Sequence, residues 1–214
     1  MTRTYIAAAA LLGVFAAAGP AQTTARVQAS PESKLWIEGT SNLHGWSCKA
    51  EKLDAIIELD AAAVEDLATA TPKMLKRVEV KVPVKALKCG HGGMDDNLYK
   101  ALKADETPEI SYILATFDAT TGEADAFTLK TNGTLAIAGK ENKLTMEVVA
   151  TRLPDGTVKA TGVVPIKMTD FGIKPPTAMF GTLRTGDEVK VNFSLTVGAK
   201  AIAAALNDKV VNDK

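Results

Sequence analysis

The sequence predicts an all-β fold: an antiparallel up-and-down barrel of about eight strands with one or two short helices. Three observations predict it. Apolar residues return at every second position in run after run, the period of a half-buried strand. The runs are joined by short connections that carry turn signals such as Asp155-Gly156. Each run has one apolar face, and an open sheet of this size would leave two bare edges that closure removes. A two-sheet sandwich is the main alternative arrangement.

The amino terminus has a different character. Arg3 precedes an uncharged, Ala-rich apolar run from Tyr5 to Ala18, and Gly19-Pro20-Ala21-Gln22 breaks it with small residues. That is the order of a secretory signal peptide, expected over 1–21, with cleavage after Ala21 or, as second choice, Ala25. The run is too short to span a bilayer, which takes about 20 helical residues. An uncleaved anchor is the competing reading. No other stretch is long and apolar enough for a stable membrane span, so a periplasmic or secreted location is expected. Residues 22–32 read as a flexible leader, 33–198 as the barrel domain and 199–214 as a tail that could form a loose helix.

From residue 33 the strands follow in order. Leu35 and Ile37 alternate with Lys34, Trp36 and Glu38, and Leu53, Ile57 and Leu59 mark a second run. Val78, Val80, Val82 and Val84 alternate with Glu79, Lys81 and Pro83, and Pro83 suits an edge or a strand end. Ile110, Tyr112 and Leu114 come next, then Phe127, Leu129, Leu135 and Ile137. Asn132-Gly133 interrupts that run as a tight turn or as a bend inside one strand, and unbroken alternation favours the bend. Leu144, Met146 and Val148 precede Asp155-Gly156, 158–166 follow it, and Val189, Val191, Phe193, Leu195 and Val197 form the last strand, with Thr185-Gly186-Asp187 leading in. Two segments read as helices: Ala-rich 61–70, limited by Pro72, and 94–104, with Met94, Leu98, Ala101 and Leu102 on one face. Asp95 and Asp96 in its first turn and Lys100 and Lys103 in its last match the helix dipole.

Composition excludes several function classes. Lys+Arg and Asp+Glu are 25 each, so no long-range field favours nucleic acid. The hydrophobic fraction is 46% but the aromatic fraction only 5%, so the interior must be aliphatic. No G-x-S-x-G, phosphate loop or C-x-x-C occurs, and an enzyme is not expected, nor any cofactor. Export favours a disulfide between Cys48 and Cys89, with about 4 kcal/mol of stabilisation on a chain-entropy argument. Free buried thiols are one alternative. A zinc site joining the cysteines to His44 and His91 is another, although the spacing is not that of a zinc finger, and no metal is expected.

Four segments together resemble the YceI-like family: Leu35-Trp36-Ile37-Glu38-Gly39-Thr40-Ser41-Asn42-Leu43-His44-Gly45-Trp46-Ser47-Cys48; Met94 to Leu102 with Thr107-Pro108-Glu109-Ile110-Ser111-Tyr112; Gly133 to Lys140; and Met168-Thr169-Asp170-Phe171-Gly172-Ile173-Lys174-Pro175-Pro176 with Leu183 to Val189. Their order spans about residues 33–198. The two cysteines depart from the commoner pattern. The resemblance implies a lipocalin-like, eight-stranded barrel with a hydrophobic pore that holds a polyisoprenoid, such as a quinone or prenyl lipid, or another long apolar ligand. On that reading Val80, Val82, Ile110, Tyr112, Leu135, Ile137, Met146, Val148 and Phe193 face inward as the lining, and Phe171, Ile173 and Met179 border the mouth. Should the ligand carry a pyrophosphate, Arg184 or Lys174 could supply a cation. The competing reading is a structural or stress-related envelope protein whose barrel is filled by its own side chains.

Overall fold

A computed structural model describes residues 24–60, 72–121, 125–201 and 204. The strands are β1 (Thr24–Gln28), β2 (Lys34–Ser41), β3 (Gly45–Ala50), β4 (Asp54–Asp60), β5 (Leu75–Pro83), β6 (Leu87–Lys88), β7 (Glu109–Thr121), β8 (Ala126–Ile137), β9 (Lys140–Arg152), β10 (Val158–Lys167), β11 (Thr177–Ala178) and β12 (Leu183–Val197). The helix α1 (Gly92–Ala101) lies between β6 and β7. All ladders are antiparallel, and they form one curled sheet in the order β1-β4-β5-β7-β8-β9-β10-β12-β2-β3-β6, with β11 pairing off this path to β12. The expected helix over 61–70 lies outside the described residues.

The period-2 alternation translates directly into an inner apolar and an outer polar face. Leu129, Thr131, Leu135 and Ile137 of β8 are buried, whereas the charges of the outer face pair in solvent, as in Arg26–Glu58 at 3.1 Å and Arg77–Glu79 at 2.9 Å. Such exposed pairs add little stability. The tightest turn joins β8 to β9 through Ala138 and Gly139, both at positive φ, as a two-residue hairpin of matching twist requires. Asp155-Gly156 turns β9 into β10, with Gly156 at φ 79° and the Asp155 carboxylate accepting the Thr157 N–H at 2.9 Å. β5 ends at Pro83, where a residue without an N–H belongs.

Two expectations are corrected. Residues 24–28 are not a flexible leader: they form β1 on β4, with Ala25 and Val27 fully buried. The segment is too short and too polar for its two apolar positions to stand out, and Pro31 sits in the turn behind it. Cleavage after Ala25 would cut this strand. Thr185-Gly186-Asp187 does not precede the last strand but lies inside it, in an irregularity between Thr185 and Val189 against β2. Among the described residues the hydrogen-bonded strand segments number twelve. Breaks at 29–33, 51–53 and the 3-10 turn Val84–Ala86 divide runs that the sequence pattern treats as units or leaves unassigned. Asn132-Gly133, by contrast, sits inside continuous β8, and the irregularity falls opposite, between Leu114 and Thr116 of β7.

Two devices hold α1 over one end of the sheet. Its Leu98, Ala101 and Leu102 pack on Val82, Leu87, Leu135 and Ile137, joined there by Phe171 and Ile173 from the turn after β10. At its start, Cys89 is bonded to Cys48 of β3, S–S 2.02 Å, and the Cys89 N–H donates to the Asp95 carboxylate at 2.7 Å. Asp95 therefore anchors the helix entry as well as meeting its dipole. At the far end Lys103 adopts a left-handed φ of 53°, and the Thr107 hydroxyl donates to the carbonyls of Leu102 and Lys103. Because the bridge joins positions 41 residues apart, replacing both cysteines by alanine should lower unfolding free energy by about 2–4 kcal/mol. Denaturant unfolding of the oxidised protein and the double variant measures this; unchanged midpoints would remove the bridge from the stability argument.

Candidate functional site

The curled sheet encloses an apolar cavity of about 560 Å³. That falls within the ~300–1,000 Å³ typical of small-molecule sites. It runs the length of the strands, from Ile166, Met168 and α1 at one end to Val158, Arg152 and Leu59 at the other. Val80 and Val82 of β5, Ile110 and Tyr112 of β7, Leu135 and Ile137 of β8, Met146 and Val148 of β9 and Phe193 of β12 all line it. They meet because register places Val80 opposite Tyr112, Tyr112 opposite Leu135, and Leu129 opposite Val148, each one an inward position.

Three inward glycines shape the wall. Gly39 lies against the Trp46 ring, Gly133 against Tyr112 and Gly162 against Phe193. A methyl group at Gly133 would stand 2.5 Å from three atoms of the Tyr112 side chain, and one at Gly162 would stand 2.5 Å from the Phe193 ring. In each pair the ring comes from the neighbouring strand and lies flat along the wall, where a side chain at the glycine would push it into the bore. The Trp46 indole N–H also donates to the Thr40 carbonyl at 3.1 Å, which fixes its ring.

Of the residues expected at a mouth, Phe171 and Ile173 are buried and line the cavity, packed with the α1 residues as part of the cover. They cap the interior more than they border an opening. The side chain of Met179 lies outside the described residues. The turn that carries Phe171 is latched by Asp187, which accepts the Thr169 N–H at 2.9 Å and the Thr169 hydroxyl at 2.6 Å. These bonds, the hydroxyl's first, hold the Asp187 carboxyl below its ordinary 3.8. Arg184 points its guanidinium to the Gly181 carbonyl at 3.1 Å on an exposed edge, and Lys174 is exposed; neither lines the cavity. The joined sulfurs of Cys48 and Cys89 are not thiolates, so a zinc site built on them is excluded in this state.

Sequence reasoning missed part of the lining. Trp46 and Thr131 lie on the wall, as do Met94 and Leu98 of α1. Thr131 sits on the inward parity of Phe127 to Ile137, so the alternation pointed to it, but a polar residue does not register as apolar. Its hydroxyl is satisfied by the Met146 carbonyl at 3.0 Å. The Tyr112 hydroxyl is buried against Gly133, and burial pushes its pKa up, with the Thr131 hydroxyl beside it offsetting part of the rise.

The family model for the YceI-like domain matches residues 21–197. The chain belongs to the YceI-like family. The match begins ahead of β1 and so includes the strand the sequence pattern concealed. Among solved structures, BcnA from Burkholderia cenocepacia is similar at a TM-score of 0.61 and 19% identity, covering 77% of this chain and 96% of that one. A polyisoprenoid binding domain from Saccharophagus degradans, implicated in plant cell wall breakdown, aligns at 0.61 and 12% identity over 83% and 99%. The YceI protein of Campylobacter jejuni aligns at 0.52 and 18% over 69% and 81%. At these identities the likeness carries the fold alone. No curated protein matches the chain.

Two outcomes follow for this YceI-like chain. Gly133→Ala should destabilise by about 1–3 kcal/mol, since the Tyr112 ring must leave its place. Combining it with Tyr112→Ala should recover part of the loss, and a thermal-denaturation cycle reads the coupling. Strictly additive losses would mean that the ring and the glycine do not interact. The Asp187 latch is a depressed-pKa group. Its contribution is present above the unfolded carboxyl pKa and is lost as pH falls through the lower folded value, below 3.8. Protection of the Thr169 amide, its exchange rate referred to the intrinsic rate at the same pH, should therefore be present at neutral pH, fall away in strong acid, and be lost throughout in Asp187→Ala.

Proposed function

We propose that this YceI-like protein is an exported, non-catalytic binder of a polyisoprenoid or similarly long apolar molecule, which it shelters inside a closed barrel of eight long staves. The observation that carries the reading is the apolar cavity of about 560 Å³ bounded by inward side chains of nearly every strand. A hydrocarbon left in water forgoes about 0.8 kcal/mol for each methylene that burial would remove from it. A lined bore recovers that without chemistry. The alternative, a self-filled structural barrel, predicts no such space.

Register supports the eight-stave barrel. Thr24 and Gln28 stand opposite Asp60 and Ile56, and Trp36 and Thr40 opposite Lys49 and Gly45, so 24–41 runs as one bent stave along 45–60. The same 45–60 segment meets β6 through Lys49–Lys88 and Ala50–Leu87 and meets β5 from Asp54–Lys81 onward. The two ends of the hydrogen-bonded path, β1 and β6, are thus continuations of β2 and β5, and a path whose ends are its own members is a ring. Ser30 N–H donating to the Thr196 carbonyl at 2.7 Å spans one of the breaks.

The family supports the ligand class, since a similar fold belongs to a polyisoprenoid binding domain. The signal-like amino terminus and the disulfide support export to the periplasm or beyond. Among the described residues no helix is long and apolar enough to cross a membrane. Solvent extraction of the full-length protein, purified from native membranes-free extract without detergent, followed by mass spectrometry, tests the reading. A stoichiometric prenyl lipid is expected. Repeated empty extracts, together with failure of added prenyl lipids to bind the purified protein, would refute it.

A further inference from the structure

The two most exposed large apolar side chains among the described residues are Phe180, fully open to solvent, and Leu43, 70% exposed. They are distant in sequence, yet the turns that carry them are bonded to each other. The Asn42 N–H donates to the Arg184 carbonyl at 3.0 Å, the Arg184 N–H donates to the Asn42 side-chain oxygen at 2.9 Å, and the Asn42 side-chain nitrogen donates to the Thr182 carbonyl at 2.8 Å. The Ser41 hydroxyl closes the first turn by donating to the His44 carbonyl at 2.8 Å while accepting the Leu43 and His44 N–H groups. Phe180 stands at φ 56°, a left-handed conformation that a bulky residue rarely adopts, ahead of Gly181 at φ 87°. Asparagine or glycine would meet that geometry at less cost, without leaving a ring in water.

The place of this pair in the fold gives it meaning. Exposed His44, exposed Thr177 of β11 and exposed Asn97 of α1 also line the cavity, so at this end the bore reaches the surface between α1 and the two turns. Leu43 and Phe180 do not line it; they stand outside the opening. Across 39–46 and 171–186 the charged side chains are Lys174 and Arg184, with no Asp or Glu. Of the carboxylates that bound the second stretch, Asp170 and Asp187, the latter is turned to Thr169. Lys174 and Arg184 are both exposed, and neither forms an ion pair among the described residues.

We infer that the joined turns 41–44 and 180–184 form a docking surface that seats the open end of the barrel on an anionic lipid bilayer, with Leu43 and Phe180 entering the headgroup boundary and Lys174 and Arg184 facing lipid phosphates. Apolar side chains on preformed turns enter that boundary because water is their alternative, and cations beside them add attraction to anionic lipid. A long apolar molecule dissolves poorly in water, so a barrel exchanges it best where its opening meets a phase that dissolves it. In this the inference rests on the lipid-binding reading above and adds the surface at which the ligand enters and leaves.

The test uses the full-length protein, with wild type and variants sharing one amino terminus. It is sedimented with vesicles of phosphatidylethanolamine mixed with phosphatidylglycerol, and with vesicles of phosphatidylcholine alone. Wild type should prefer the phosphatidylglycerol vesicles, and bind them less as salt rises. Leu43→Ser and Phe180→Ser should each lower the partition coefficient by about tenfold, and Lys174→Gln by about fivefold. Val163→Ser, which removes another exposed apolar side chain from the outer face of β10, should leave binding unchanged. All four should melt with wild type, since each replaced side chain is exposed. No vesicle binding by wild type, unchanged binding by Leu43→Ser and Phe180→Ser, or an equal loss in Val163→Ser overturns the docking surface. Self-association of wild type in place of vesicle binding, abolished by Phe180→Ser in analytical ultracentrifugation, also overturns it and assigns the turns to a second copy of the chain. Prenyl lipid added without vesicles should bind Phe180→Ser as well as wild type, so failure of docking and failure of the cavity are read separately.

Discussion

Three ring-on-glycine contacts, Trp46 on Gly39, Tyr112 on Gly133 and Phe193 on Gly162, let this sheet curl without filling its own interior. A small barrel has an interior just wide enough for its side chains, and the default outcome is a dry core. The aliphatic residues of the wall are short, so the large rings decide whether space remains. Laid flat over a neighbour that has no Cβ, a ring thickens the wall by one layer. Standing inward, it would cross the bore. The cavity is therefore a consequence of where glycines fall relative to rings on adjacent strands, a relation set by register and not by composition.

An open bore creates a second requirement, because an unfilled interior gives its walls fewer contacts to hold them. The molecule concentrates its cohesion at one end. There α1, the turn carrying Phe171 and Ile173, and the ends of β5 and β8 form the larger cluster, and the Cys48–Cys89 bond and the Asp187–Thr169 contacts fasten its two covering pieces to the sheet. These fastenings are of unlike kinds: one is covalent, the other a charge-assisted pair in solvent.

How much of this was legible in the sequence differs by level. Strand identity was, because period-2 alternation is a local property: every inward residue named on β5, β7, β8, β9 and β12 lies on the lining. Pro83 and Asp155-Gly156 were legible for the same reason, each being a backbone constraint of a single residue or pair. The ring-on-glycine pairs were not. Gly39 and Trp46 are close in the chain, but Gly162 and Phe193 are brought together only by the β10–β12 register. Gly133 was read as a bend, and its partner Tyr112 as one more apolar position. β1 escaped notice since two buried side chains in five residues make no statistical pattern, although burial on β4 is decisive in space. The division into segments was not legible for a related reason. A long stave broken by a 3-10 turn counts as two in hydrogen-bond terms, and the break at Val84–Ala86 leaves Val84 as buried as any strand residue.

Tyr112 and Thr131 show how the wall takes up polarity without presenting it to the cavity. The Tyr112 hydroxyl is buried against Gly133, where the absent side chain leaves room for it, and Thr131 beside it turns its own hydroxyl to the Met146 carbonyl at 3.0 Å. Both polar atoms are thereby drawn into the strand layer, and the surface left to the cavity is mostly hydrocarbon. A wall of that kind rewards the burial of apolar area and offers little else to hold, so what it favours is set by length and girth before chemistry.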